Sequence, residues 1–332
     1  MGFMNYSKKL QSFVFAAGLS IALLTTTSLC ADLQATEAHS LNSSRLLFDE
    51  NDQPRVKLLQ LLELVGMEPL NKSEKAIVQI NNWAQKNLLR QGERWQEQAN
   101  RFEELKPKIK PLLSELGFVD ATLPHFREYQ GAIVHGALLP TVRLRLHYLV
   151  EQWKQGIRFP HIYFLSGERP LDALQENKNT FLEDNESLLK VRKDCSEPLE
   201  FPKTESEMIQ LVWEQSEIPA EMRKEIEVHF INAPMKKDSK SERLLRPTTD
   251  DTVEAWLKAT PPPGRYLAIS NAPYTNRQDL VVRTIAPSEY GFDTIGSGAS
   301  EQEKVAIFLD ELARFIFQTK QISSFALHKQ KS

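Results

Sequence analysis

Cysteine is nearly missing from this chain. Two cysteines in 332 residues, Cys30 and Cys195, give no disulfide framework. Neither charge is in excess: 41 Lys and Arg face 44 Asp and Glu, for a net charge of -3. With no basic excess and no recognisable nucleic-acid motif, nucleic acid is not an expected partner. The seven histidines are scattered, without metal-ligand spacing such as H-E-x-x-H, so no metal site is expected. Neither a G-x-S-x-G nucleophile elbow nor a P-loop occurs, which removes the simplest hydrolase and NTPase readings. There are no internal repeats.

What is present begins with an unusual start. Lys8 and Lys9 precede the apolar run Phe13 to Leu24, and Thr25 to Ala31 are mostly small. A basic region, a short apolar run and small residues describe a secretory leader, expected to be cleaved within 1–31. The run is short for a membrane span. An uncleaved anchor and a lipid-modified Cys30 are the alternatives. The mature protein is therefore expected to be exported, in the periplasm or cell envelope. Residues 32–54 are polar and turn-rich and read as a flexible tether. Cys195, in a polar stretch, reads as an incidental exposed thiol.

From 55 to 128 the periodicity is helical. Leu58, Leu59, Leu61, Leu62 and Val65 share one face, and Ile77, Ile80, Trp83, Ala84 and Leu88 another, while Pro107 and Pro111 break the pattern. This all-helical segment is expected to be a packing layer, or else a surface for an envelope protein partner. Trp83 and Trp95 read as core or partner-packing residues.

An α/β body is expected over 129–320. Ala132 to Val134 is a short apolar run, then comes the turn His135-Gly136-Ala137. Val142, Leu144, Leu146, Leu149, Val150 and Trp153 follow at helical spacing, and His161 to Leu165 is a second apolar run. A strand, helix and strand in this order imply a right-handed crossover and parallel strands. Val228 to Ile231 and Tyr266 to Ile269 read as two more buried strands, and His229 as structural. Residues 170–203 are polar and aperiodic, an inserted lid or disordered loop. A last amphipathic helix runs from about Gln302 to Phe317, and 321–332 is a polar tail. The fold class is α/β: a Rossmann-like, three-layer, mostly parallel sheet preceded by the helical segment.

In such sheets ligands sit beyond the carboxyl ends of the strands. Here those ends are His135-Gly136, Ser166-Gly167-Glu168-Arg169 and Ser270-Asn271. Arg143, Glu205, Thr248 to Asp251, Tyr274 and Arg277 lie near expected helix starts, where backbone N–H groups favour an anion. Each has a plainer reading: Arg143 as a surface residue, Thr248 to Asp251 as a helix cap, His135 as a satisfied structural histidine.

The order of these pieces resembles the YdcF/SanA/ElyC family of bacterial proteins. Ile133-Val134-His135-Gly136-Ala137 resembles its opening strand and turn, with Arg143 as the arginine that follows. Phe164-Leu165-Ser166-Gly167, Glu205 with Ile218-Pro219, Thr248 to Asp251, and Pro273-Tyr274 with Arg277 resemble the later pieces. The resemblance covers roughly 129–317. It implies a Rossmann-like fold, a role in the cell envelope, and a small anionic, phosphate-bearing or nucleotide-like ligand such as S-adenosylmethionine. His135, Gly136, Arg143, Ser166, Gly167, Glu205, Thr248, Asp251, Tyr274 and Arg277 would bind it, and a membrane-associated substrate is a further expected partner. A non-catalytic scaffold using the helical front is the competing expectation.

Overall fold

The computed structural model describes residues 45–90, 101–183, 185–194, 200–239 and 241–329, with the side chains of 323–329 left aside. The expected leader, Cys30, Cys195, Trp95 and most of the expected tether lie outside the described residues. The chain opens with helices α1 (Val56–Leu64), α2 (Ala76–Asn87) and α3 (Lys106–Glu115). The last runs through Pro111 instead of breaking there. Pro107 sits in its first turn, where a missing N–H costs nothing, and Pro111 one turn on forfeits a single helical bond.

Strand β1 (Gly131–His135), helix α4 (Leu139–Lys154) and strand β2 (His161–Gly167) form the expected crossover unit. A short helix α5 (Lys178–Leu182), then α6 (Glu205–Gln215) and α7 (Ala220–Glu225), lead to β3 (Glu227–Ala233). After a small antiparallel pair, β4 (Lys236–Lys237) and β5 (Leu244–Leu245), come α8 (Thr249–Lys258), β6 (Gly264–Asn271), α9 (Thr275–Ile285) and β7 (Tyr290–Ser297). Helix α10 (Val305–Lys329) ends the described chain, continuing well past the expected end at Phe317.

The main sheet has five parallel strands in the order β3-β2-β1-β6-β7. Successive side chains alternate between its faces. Ala132, Val134, Ile162 and Phe164 pack under α4 and α6, while Ile133, Tyr163 and Tyr266 pack against Val253 and Trp256 of α8. Both faces are covered, so β1 is buried at every position, as its uninterrupted apolar run requires. Helices on both sides make the three-layer, Rossmann-like arrangement. Two strands differ from expectation. β7 is a fifth strand, and β3 lies at the sheet edge, where its side chains are only half-buried.

A third core joins α1, α2 and α3 to α10 and to Leu280 of α9. Leu47 and Phe48, in the stretch read as a tether, are fully buried in it, which fixes 45–54 against the helices. The described part of 170–203 also packs: Phe181 and Leu189 are buried, and Arg143 donates to the carbonyls of Thr180 (2.9 Å), Glu183 (2.7 Å) and Leu189 (3.3 Å). A disordered loop could not supply three fixed acceptors. Among the described residues no helix is long and apolar enough to cross a membrane.

Candidate functional site

The chain leaves β1 toward β2 on one side and leaves β6 toward β7 on the other, so the strand order reverses between β1 and β6. A crevice is expected at that reversal, outside the carboxyl ends. A cleft of ≈390 Å³ occupies it. Its floor is the turn after β1, His135 to Leu138; its walls are the starts of α6 and α8, with Glu205, Thr248, Thr249 and Asp250, and the first turn of α9, with Arg277. The helical layer supplies the far wall through Gln85 of α2, Leu89 just beyond it, and Arg314, Phe317 and Gln318 of α10.

Four arginines, Arg169, Arg246, Arg277 and Arg314, line the cleft against two carboxylates, Glu205 and Asp250. Arg277, its side chain 11 % exposed, is ion-paired with the fully buried Glu311 of α10. Burial works against its charge, but the Glu311 carboxylate outweighs that and raises its pKa, so it remains a cation. Its Nη2 has no hydrogen-bond partner among the described residues. The same holds for both ring nitrogens of His135, which is 2 % exposed. Burial, with the cations of Arg145 and Arg277 nearby, pushes His135 down to about 3, so its imidazole is neutral. Burial also raises the Asp250 carboxyl above its ordinary value, although Arg277 pulls the other way.

Glycine is needed at the first turn. A Cβ on Gly136 would lie 2.6 Å from the Leu165 carbonyl oxygen and 2.7 Å from Glu205 Oε1. Glu205 Oε2 accepts the Gly167 N–H at 3.2 Å and lies 3.5 Å from Arg169 Nε, so this carboxylate braces the two strand-end turns while facing the cleft. The start of α4, a common anion position in such folds, already holds a carboxylate of the chain itself. Glu176, from the insertion, accepts the Leu139 N–H at 3.1 Å and forms a bidentate pair with Arg169 at 2.7 and 2.8 Å.

Of the residues expected from sequence, His135, Gly136, Glu205, Thr248 and Arg277 come together here. The others sit elsewhere. Arg143 turns to the insertion; its neighbour Arg145 braces the turn instead, donating to the carbonyls of His135 (2.7 Å) and Gly136 (3.0 Å) and to Asn271 Oδ1 (2.9 Å). Ser166 donates to the Ile231 carbonyl at 2.8 Å, and a Cβ on Gly167 would lie 2.2 Å from Pro247. Asp251 caps α8, accepting from Thr248 N (2.8 Å) and Oγ1 (2.9 Å), and it pairs with Lys236. Tyr274 lines a second cleft of ≈610 Å³ on the other side of the β1–α4 turn.

Sequence reasoning named Arg169 in the cluster after β2 and Asp250 within Thr248 to Asp251, but counted neither among the ligand-binding residues. Arg246 and Arg314 carried no local signal. No family model matches this chain, and no curated protein and no solved structure matches it. Guanidinium groups, helix-start N–H groups and a neutral imidazole together favour an anionic ligand with hydrogen-bonding oxygens.

Proposed function

We propose that this chain is an exported, YdcF-like protein of the bacterial envelope that binds a phosphate-bearing or nucleotide-like small molecule in the cleft between β1 and β6. The observation that carries the reading is the presence of both Arg277 and His135 in its lining. His135 is buried and Arg277 mostly so, both line the cleft, and both hold buried polar atoms with no hydrogen-bond partner among the described residues. Buried polar atoms are ordinarily satisfied, and a bound oxyanion would supply the missing acceptor to Arg277. Arg246 and the start of α8 add donors beside it. The basic, apolar and small residues of the first 31 positions support export. The helical front enters this reading as one wall of the cleft rather than as a partner surface.

A thermal-shift panel of inorganic phosphate, nucleotides, nucleotide sugars, S-adenosylmethionine and polyprenyl phosphates tests the proposal. A native-state ligand raises the melting temperature in proportion to the logarithm of its excess over Kd. A shift from a phosphate-bearing compound that vanishes in Arg246→Ala supports the reading. A panel without any shift removes it.

A further inference from the structure

At the opposite, amino-terminal end of the sheet, three metal-ligating side chains meet across two strands. His161 opens β2, and its pairing partner on the edge strand β3 is Glu227; His229 pairs with Tyr163, two positions along. Alternation along parallel strands puts all three on the α8 face of the sheet. His161 Nδ1 lies 3.4 Å from His229 Nε2 and 3.4 Å from Glu227 Oε2, and His229 Nε2 lies 3.7 Å from Glu227 Oε1. From this juxtaposition we infer that His161, Glu227 and His229 form a binding site for a divalent transition cation of the zinc, copper or nickel class.

The spacing is the main support. Two imidazole nitrogens sharing a proton sit ~2.7–3.2 Å apart, so 3.4 Å is long for a hydrogen bond. A tetrahedral zinc ion with bonds of ~2.0–2.1 Å places its ligand atoms about 3.4 Å apart. Two of the three measured separations match that value, and the third, 3.7 Å, is somewhat longer. The imidazoles are also held in place. His229 stacks on Tyr163, with centroids 4.5 Å apart and planes 10° apart, and Tyr163 in turn packs edge-on to Trp256 and Tyr266. Glu227, with a side chain 67 % exposed, is free to settle onto an ion.

Two nitrogens and one carboxylate select against magnesium and calcium, which take oxygen ligands. Three protein ligands leave one position open to water or to an outside ligand. A cation here would also tie the half-exposed edge strand β3 to β2. The trio could not be seen along the sequence, because its ligands lie on two strands separated by three helices. The site is at the far end of the sheet from the cleft, so it stands or falls independently of the anion reading.

Zinc titration of the chelator-treated full chain tests the site, comparing wild type with His161→Asn/His229→Asn. Wild type should take up one zinc ion that the double variant does not, and zinc should raise the melting temperature of wild type only. Copper bound to wild type should show nitrogen hyperfine splitting in its electron paramagnetic resonance spectrum. Equal zinc uptake by the two proteins would assign the ion to other residues and overturn the inference, as would no uptake by wild type at millimolar zinc. If the double variant does not fold, the exposed Glu227→Gln decides: affinity should fall about tenfold or more, and unchanged affinity overturns the site.

Discussion

Glu205 reaches from the start of α6 to accept the Gly167 amide, and its other oxygen lies where a Cβ on Gly136 would have to go. One carboxylate thus fixes the distance between the turns that end β1 and β2, and the cleft opens on those turns. Gly136→Ala must push both this carboxylate and the Leu165 carbonyl. It is expected to cost about 1–3 kcal/mol, read by urea denaturation, and to weaken ligand binding at the same time. Unchanged stability would mean that the turn is not held as described.

Arg143→Ala tests a different role. Its guanidinium holds three carbonyls of the insertion and contacts Phe181. Charged hydrogen bonds contribute about 1.5–3 kcal/mol, so the variant should loosen 170–194 before it unfolds the body. Limited proteolysis should cut there first and faster than in wild type. Cleavage at wild-type rates would show that the insertion is held by other contacts.

Arg277 cannot be removed cleanly on its own. Arg277→Ala would strand the buried Glu311 carboxylate, a loss of about 3–5 kcal/mol. Pairing it as Arg277→Gln/Glu311→Gln removes both charges. Thermal denaturation should show the double variant more stable than Arg277→Ala; the reverse order would contradict the pairing.

His135 gives a pH signature. Its folded value of about 3 lies below the ordinary 6.5, so the unfolded chain takes a proton that the native chain refuses. The stabilisation is complete above 6.5 and is lost as pH falls from there toward about 3. The slope approaches about 1.4 kcal/mol per pH unit over that window. His135→Gln should flatten this part of the stability profile, measured by denaturation at pH 7, 6 and 5; an unchanged slope would place the titration elsewhere.

The crossover unit from β1 to β2 was legible because its strands are covered on both faces and so carry uninterrupted apolar runs, with a helix-period stretch between them. β7 was not legible. Gly291, Asp293 and Gly296 interrupt its apolar pattern, and they are tolerated because Asp293 is satisfied by Tyr129 and His125 from a distant loop. β3 read as buried because Val228 and Phe230 pack on one face of the sheet and Ile231 on the other, although the open edge leaves them half-buried. Arg143 and Arg145 both lie on α4, two positions apart and on different faces; sequence could place an arginine near the turn but not choose which one braces it. Asp250 and Asp251 posed the same problem at the start of α8, where one caps the helix and the other faces the cleft.

The most direct test of the anion site is calorimetric titration of the full chain with inorganic pyrophosphate, alongside Arg246→Ala/Arg314→Ala. Both arginines lie on the cleft wall, and neither belongs to the Arg277–Glu311 pair. Saturable one-site binding by wild type, weakened about tenfold to a hundredfold in the variant, is the expected result. No binding by wild type, or equal binding by both proteins, would contradict an anion site between β1 and β6.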